Sequence, residues 1–98
     1  MSFEMRVRLR AREDITDAAL WYEAQNAGLG SHFVDEVERT FSKIADNPTT
    51  YRILHRETRR VILQRFPFGV FYRVYDQTVV VIAVMHSSRD PQRWMHRT

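Results

Sequence analysis

An almost continuously apolar segment near the end of the chain, Thr78–Met85, constrains the fold more than any other feature of the sequence. Its length and its β-branched residues are typical of a strand that is buried on both faces. The segment is far shorter than the roughly 20 apolar residues that a bilayer-spanning helix needs. We therefore predict that Thr78–Met85 is a central strand of a sheet, and that the rest of the chain supplies the other strands and the covering layer.

The N-terminal quarter of the chain changes its hydrophobic period once. Phe3–Leu9 alternates apolar and polar residues, which predicts a strand with one buried face. Across Ala11–Asn26, apolar residues recur at three- and four-residue steps, which predicts a helix. Acids near the predicted helix start, at Glu13, Asp14 and Asp17, favour this boundary because the positive end of the helix dipole stabilises negative charge.

A second helix is predicted after a turn at Ala27–Gly30. Ser31 is its candidate N-cap, and an apolar stripe then follows at helical spacing for four turns. The helix ends at Asn47, because Pro48 disfavours a helical conformation in the residue before it. The two helices form a hairpin whose apolar stripes pack on the sheet. Its outer face is acidic, because residues 11–47 hold eight acids and three bases.

The second half of the chain predicts three strands and a tail. In order, these are a strand at Arg59–Phe66, a turn at Pro67–Gly69, a strand at Val70–Tyr75, a turn at Asp76–Gln77, the central strand Thr78–Met85, and a tail from Ser87 with a last helical turn at Pro91 capped by Asp90. The predicted class is α+β with two layers and the order β-α-α-β-β-β, a helical hairpin packed on a small, mainly antiparallel sheet with a short C-terminal helical tail. Residues 1–98 are expected to form a single domain, since a chain of 98 residues leaves no room for a second module.

The composition argues against several classes of protein. The absence of cysteine excludes a disulfide scaffold, a thiolate nucleophile and a cysteine zinc site, so we expect neither a metal nor a cofactor. A hydrophobic content of 44% with 12% aromatic residues argues against disorder. The first ten residues lack the apolar stretch of a secretion signal, so we expect a cytoplasmic protein with no membrane partner.

Positive charge is concentrated in the second half of the chain. Residues 1–50 hold six basic and nine acidic residues, whereas residues 51–98 hold nine arginines and three acids. Fourteen of the fifteen basic residues are arginines, whose planar guanidinium binds carboxylate or phosphate through two hydrogen bonds. An anionic partner for the second half is therefore expected.

Several short strings follow one another along the chain, namely Ala11-Arg12-Glu13-Asp14-Ile15, Asn47-Pro48, Val70-Phe71-Tyr72-Arg73-Val74, and His86-Ser87-Ser88-Arg89-Asp90-Pro91 with Trp94. In this order and at this chain length, the strings resemble the RelE/ParE superfamily over essentially the whole chain. The resemblance implies the toxin of a type II toxin–antitoxin system, which inhibits growth and is neutralised by a cognate antitoxin protein that wraps it. It leaves open whether the chain forms a homodimer or a heterotetramer with the antitoxin.

One branch of this superfamily cuts messenger RNA in the ribosome without a metal, which requires a base, an acid and cations around the phosphate. The resemblance implies that Arg60 and Arg89 match basic positions of that branch's active site, with Trp94 near an aromatic position. Because histidine titrates near neutral pH, His86 and His55 are acid–base candidates.

The chain departs from this branch at two positions. Gly69 stands where that branch commonly places a phosphate-contacting arginine, and Ile62 stands where a second basic residue would lie. The remaining cations that could compensate are Arg65 and Arg73. The departure favours the ParE, or plasmid-stabilisation, branch, which poisons DNA gyrase by binding it. A ribosome-dependent endoribonuclease is the alternative.

The surface for the antitoxin or the target is predicted on the sheet face opposite the hairpin, with the residues Arg59, Arg60, Arg65, Arg73, Arg89 and Trp94. Two simpler roles compete with this prediction, because His86 could close the end of its strand through a backbone hydrogen bond and Trp94 could cover the sheet. A basic nucleic-acid-binding module is the alternative from a different class, although no helix-turn-helix, zinc or RNP-like string accompanies the basic half.

Overall fold

The chain builds two long helices and a five-stranded sheet in the computed structural model, which describes residues 2–98. The elements, in chain order, are β1 (Glu4–Val7), α1 (Leu9–Gln25), α2 (Leu29–Asp46), a 3-10 turn (Pro48–Thr50), β2 (Ile53–His55), β3 (Thr58–Ile62), β4 (Phe68–Tyr75), β5 (Thr78–His86) and α3 (Gln92–Met95). The α+β class and the helical hairpin are confirmed.

The strands follow the order β1-β5-β4-β3-β2 across the sheet. β1 pairs with β5 in parallel, and every other neighbouring pair is antiparallel, so the sheet is mainly antiparallel as predicted. β5 has a neighbour on each side, and its residues Val79, Val81, Ile82 and Ala83 are fully buried. The apolar segment is therefore a central strand, as its sequence predicted.

The main core lies between the sheet and the helical hairpin, with Phe33 of α2 at its centre. The Phe33 ring lies 5.0 Å from the ring of Phe68, 5.2 Å from that of Phe66 and 5.4 Å from that of Tyr22. The pairs of Phe33 with Phe66 and Phe68 are edge-to-face, a geometry that stabilises a fold beyond the area it buries. This cluster locks α1 and α2 onto one face of the sheet and leaves the other face to the C-terminal segment.

The predicted strand at Arg59–Phe66 is wrong in its extent, and β2 was not predicted. β2 and β3 form a hairpin whose turn residues, Arg56 and Glu57, have φ values of 47° and 66°. Such turns usually contain glycine or asparagine, because other residues rarely adopt positive φ, so the sequence carried no turn signal here. Residues 63–66 leave the sheet, because the Glu36 carboxylate of α2 accepts hydrogen bonds from the backbone N–H groups of Gln64 and Arg65.

The predicted turn at Pro67–Gly69 also extends too far, since β4 already begins at Phe68. Gly69 pairs with Ile62 on one side and with Met85 on the other, so it lies inside the sheet. The turn is closed by a hydrogen bond of 2.8 Å from the Phe68 N–H to the Phe66 carbonyl. Gly69 is therefore a packing position inside the sheet and is not part of the turn.

Both predicted helix starts shift toward the N-terminus. α1 begins at Leu9, directly after Arg8, whose N–H donates to the Val81 carbonyl of β5 at 3.0 Å. The acids at Glu13, Asp14 and Asp17 therefore lie beyond the first turn of the helix. α2 begins at Leu29 and not after Ser31, because Gly28 adopts a φ of 89° just before it. The Glu23 carboxylate of α1 accepts the N–H of Gly30, in the first turn of α2, at 3.0 Å and so replaces the expected serine cap.

Candidate functional site

The sheet face opposite α1 and α2 is called the open face below. Strand alternation places on this face the side chains of Glu4, Arg6, Arg60, Ile62, Phe71, Arg73, Val80, Ile82, Ala83 and Met85, and Gly69 lies among them without a side chain. Phe71, Ile82 and Met85 form a second, smaller apolar cluster with Trp94 of α3. The open face is thus partly covered by the C-terminal segment and partly exposed at β3.

Trp94 belongs to this cover. Its ring stacks on Phe71 with the centroids 4.5 Å apart, and the centroid of the His55 ring lies 6.0 Å away in an edge-to-face arrangement. Trp94 is 5% exposed. The Asp90 carboxylate accepts the Gln92 N–H at 3.0 Å and so holds the start of α3 as a cap, as predicted. In this conformation Trp94 covers the sheet, so its use as a contact for a partner or an RNA base requires α3 to move.

Arg60 is the exposed cation of the open face at β3. It pairs with Phe71 across the sheet, and its aliphatic stem leans over Gly69. A Cβ atom added at Gly69 would lie 3.1 Å from the Arg60 Cδ and 3.2 Å from its Cγ. Among residues 2–98, no carboxylate lies within ion-pair distance of Arg60. Gly69 therefore gives the Arg60 side chain room to lie across the sheet with its charge free.

Arg73 also points to the open face, but its guanidinium is already engaged. It lies 3.8 Å from the Glu57 carboxylate and 5.7 Å from the centre of the Tyr75 ring, and the side chain is only 20% exposed. An aromatic face and a carboxylate both stabilise a guanidinium. Arg73 is therefore less available to a partner than Arg60.

Arg59 lies on the helix side of the sheet, although it is adjacent to Arg60 in sequence. Its guanidinium donates hydrogen bonds to the carbonyl oxygens of Thr49, at 3.1 Å, and of Tyr51. The neighbouring Tyr72 hydroxyl donates to the Pro48 carbonyl. Burial raises the pKa of Tyr72 to about 12, although the charge of Arg59 acts in the opposite direction. Arg59 thus ties the 3-10 turn to the sheet.

Arg65 and Arg89 lie outside the open face. Arg65 follows β3 beside α2, where its guanidinium lies 5.9 Å from the Phe66 ring centre. Arg89 lies in the exposed turn after β5, and its N–H donates to the His86 carbonyl at 3.0 Å. The expectation that all five arginines share one face is therefore wrong. Of these five arginines, Arg60 and Arg73 are the ones that point to the open face.

His86 lies at the end of β5 on the helix side, with its ring 5.3 Å from the ring of Phe68. Its Nδ1 accepts the Ser88 backbone N–H at 3.0 Å and lies 2.7 Å from the Ser88 Oγ, so the ring closes the turn after β5. Arg60 points to the opposite face. The structure therefore does not bring this acid–base candidate and this cation together on one phosphate.

A second group of arginines was missed by sequence reasoning. Arg8 and Arg10 at the start of α1 meet Arg97 of the C-terminal tail around a cleft of about 240 Å³. No local pattern could reveal this group, because its members are almost 90 residues apart.

Residues 2–98 hold no cluster of three or more histidine, aspartate or glutamate residues that could bind a metal. Within the same range, no helix combines the length and the apolar character that crossing a bilayer requires.

Comparison with known proteins identifies a family. Residues 5–91 match the family described as ParE toxin of type II toxin–antitoxin system, parDE. Among solved structures, a chain of the chromosomal ParDE system from P. aeruginosa superposes with a TM-score of 0.79 at 13% identity, covering 87% of this chain and 96% of that one. A free-state mutant of the E. coli toxin RelE superposes with a TM-score of 0.72 at 15% identity, covering 99% and 94%.

A chain of the RelBE2 toxin–antitoxin complex from Mycobacterium tuberculosis superposes with a TM-score of 0.62 at 22% identity, covering 88% of this chain and 99% of that one. At these identities the likeness to solved structures shows the fold alone. Among curated proteins, no significant sequence match is found.

Proposed function

The chain belongs to the ParE toxin family and is the toxin of a type II toxin–antitoxin system, and from that premise we propose that it inhibits growth by binding and poisoning DNA gyrase. Its protein partner is a cognate antitoxin, as in the toxin–antitoxin complexes that share its fold. We further propose that it acts in the cytoplasm, where gyrase and its DNA are found.

One observation carries the proposal, namely the surroundings of Arg60 on the open face. Its neighbours are Ile62, Gly69 and Phe71, which offer no group that could exchange a proton. Arginine itself cannot serve as a base, because it remains protonated at any physiological pH. RNA cleavage without a metal would need such a group beside the phosphate. The residues that flank Arg60 in the sheet therefore supply no acid–base group, and the acid–base candidate His55 packs instead against Trp94, with the ring centroids 6.0 Å apart.

The same surroundings suit the binding of a protein. Ile62 is 44% exposed and lies beside the free charge of Arg60, so an apolar anchor and an unpaired guanidinium stand next to each other. Arginine and buried apolar side chains provide much of the energy at the centre of protein interfaces. This combination supports a target that is bound and not cut.

The proposal is tested with the purified chain, gyrase, ATP and relaxed plasmid DNA. We expect loss of supercoiling and accumulation of gyrase-cleaved DNA, with both effects removed when the antitoxin is added first. The variant Arg60→Ala should lose most of this inhibition, while Arg39→Ala, an exposed arginine on the outer side of α2, should retain it.

Primer extension on cellular messages after induction provides the opposing measurement. Cuts linked to codons, together with unaffected gyrase, would replace the proposal by the ribosome-dependent endoribonuclease. Induction without the neighbouring antitoxin gene should arrest growth, and supercoiling of a reporter plasmid should fall before messages are degraded.

A further inference from the structure

The first strand leaves one edge of the sheet unpaired. β1 stands at the end of the strand order with β5 as its neighbour, so no strand lies along its other edge among residues 2–98. This edge, on the side of β1 away from β5, is called the outer edge below. We propose that the outer edge pairs in antiparallel orientation with the outer edge of a second copy of the chain, and so forms a homodimer. The inference is independent of the toxin's target.

The backbone groups of β1 divide between its two edges. The N–H groups of Glu4 and Arg8 donate to the carbonyl oxygens of Gln77 and Val81, at 2.9 and 3.0 Å. The even-numbered residues therefore direct their backbone groups to β5. Because backbone groups alternate in direction along a strand, the odd-numbered residues within Phe3–Val7 direct theirs to the outer edge.

The outer edge is already bonded within the chain at two places. The Phe3 N–H donates to the Ala45 carbonyl of α2 at 2.8 Å, and the Val7 carbonyl accepts the Arg12 Nε–H at 3.3 Å. The outward groups that no hydrogen bond occupies, as far as residues 2–98 are concerned, are the Phe3 carbonyl, the N–H and carbonyl of Met5, and the Val7 N–H. A partner for this edge must use these groups.

A second β1 centred on Met5 uses all of them. In an antiparallel pair, opposed residues exchange two hydrogen bonds at every second position. With Met5 opposite the partner's Met5, these two residues exchange both bonds, and each Val7 N–H reaches the Phe3 carbonyl of the other copy. This register would leave the Phe3 N–H and the Val7 carbonyl to the partners that they already have within the chain.

The side chains of β1 on the open face favour the same register. Glu4 and Arg6 are 58% and 70% exposed and form an ion pair of 3.1 Å. With Met5 at the centre, Glu4 lies opposite the partner's Arg6, and Arg6 lies opposite the partner's Glu4. Directly opposed residues of opposite charge stabilise a sheet, whereas like charges destabilise it. A shift of two residues in either direction would oppose two arginines or two glutamates, so charge and hydrogen bonding select one register.

The edge at the other end of the sheet is less suited to pairing. β2 holds three residues, and its register with β3 shifts between Ile53 and His55. Short strands and bulges are features by which proteins keep a sheet edge from pairing with another chain. β1 pairs with β5 over Glu4–Val7 without a shift, and its two charges attract a second copy. The outer edge of β1 therefore lacks the protection that β2 has.

This dimer has a definite shape. Antiparallel pairing joins two five-stranded sheets into one, and the two copies are related by a two-fold axis perpendicular to the sheet. Such an axis keeps each face of the sheet on its own side. Both open faces, each with its Arg60, therefore lie on one side of the dimer, and both helical hairpins lie on the other.

The first test measures association of the purified chain at constant ionic strength. Sedimentation velocity up to about 1 mM chain should show a monomer–dimer equilibrium with a dissociation constant on the order of 100 μM, as expected of a small interface.

Amide exchange, followed by nuclear magnetic resonance on the ¹⁵N-labelled chain, locates the contact. Where nine-tenths of the chain is dimeric, the Met5 and Val7 amides should exchange roughly tenfold more slowly than in the monomer, because exchange then requires dissociation. The Glu4 and Arg6 amides, which face β5, should change little.

Charge reversals test the register. Glu4→Arg opposes four positive charges across the paired edges, and Arg6→Glu opposes four negative charges. Each variant should weaken association at least roughly tenfold through repulsion. Both residues are exposed, so circular dichroism should show an unchanged fold. Glu38→Arg, an exposed charge reversal on α2, is the matched control and should associate as the original chain does.

Two further samples separate the pairing from a general effect of charge. An equimolar mixture of the Glu4→Arg and Arg6→Glu chains should associate again, because each arginine then faces a carboxylate. The double variant Glu4→Arg with Arg6→Glu should also associate as the original chain does, since it exchanges the two charges and keeps every opposed pair attractive.

Three results would overturn the proposal. These are a monomer at every concentration, a dimer that both single reversals leave as stable as the control does, and protection of the Met5 and Val7 amides that appears only after the antitoxin is added. The last result would assign the outer edge to the antitoxin. Because gyrase is absent from these measurements, their failure leaves the proposed gyrase inhibition untouched, and failure of the gyrase assay leaves the homodimer untouched.

Discussion

The two faces of the sheet differ in how completely they are used by the fold. On the helix side, Phe33 is fully buried among aromatic rings, and Arg59 is held by two carbonyl oxygens. On the open face, Trp94 covers only part of the sheet, while Arg60 remains free. Adjacent residues in one strand therefore stabilise the fold on one side and remain available for recognition on the other.

The largest effect is expected from Phe33→Ala. Removal of a fully buried ring leaves a cavity between the helices and the sheet, and should lower the free energy of unfolding by about 4 kcal/mol. Denaturant unfolding followed by circular dichroism measures it. A loss below about 1 kcal/mol would mean that the helix face is not the main source of stability.

Trp94→Ala should cost less, about 3 kcal/mol, because its ring belongs to the smaller of the two apolar clusters, where it stacks on Phe71. The same unfolding experiment measures the change. If Trp94→Ala destabilised the chain more than Phe33→Ala, the open face would contribute more to stability than the helix side.

Tyr72 should make stability depend on alkaline pH. Its pKa is near 10 when unfolded and is raised to about 12 in the fold, so its hydroxyl stabilises the fold fully below pH 10. As the pH rises from about 10 to 12, the unfolded chain ionises first, and this stabilisation is lost. Tyr72→Phe removes the hydrogen bond to Pro48 and should lower the free energy of unfolding by about 1 kcal/mol at neutral pH. Above pH 10, the free energy of unfolding of this variant should decline less steeply than that of the original chain. Parallel pH profiles for both chains would contradict this account.

The smallest changes in stability are expected at Arg59 and Arg60, which are adjacent in β3 but lie on opposite faces of the sheet. Arg59→Ala should destabilise the chain by about 1 kcal/mol, because it removes hydrogen bonds to the 3-10 turn. Arg60→Ala should change stability by less than about 0.5 kcal/mol, because the side chain is exposed and unpaired. Growth assays should show the reverse ranking, with Arg60→Ala losing toxicity. Equal effects of the two variants on both measurements would remove the distinction between the faces.

Much of the fold could be predicted because hydrophobic period is a local property. The apolar run of Thr78–Met85 predicted the central strand, and helical spacing predicted both long helices. The hairpin at Arg56–Glu57 could not be predicted, because its positive φ angles occur in residues that rarely adopt them. The start of α2 was misplaced because its cap is Glu23, a side chain from the preceding helix.

The candidate site was less accessible to sequence reasoning. Arg60 and Gly69 were singled out separately, but their contact depends on the register between β3 and β4. His86 was considered beside Arg60, although strand alternation places the two on opposite faces.

The type and order of most elements, the family and the excess of arginine could all be predicted from the order of residues along the chain. The elements follow from hydrophobic period, whereas the family was inferred from the resemblance of several short strings to a known superfamily. Only the tertiary structure decided which arginines are used internally, which remain free, and which meet at the cleft of Arg8, Arg10 and Arg97. That outcome depends on strand register and on the path of the C-terminal tail, because both bring distant residues within hydrogen-bonding range.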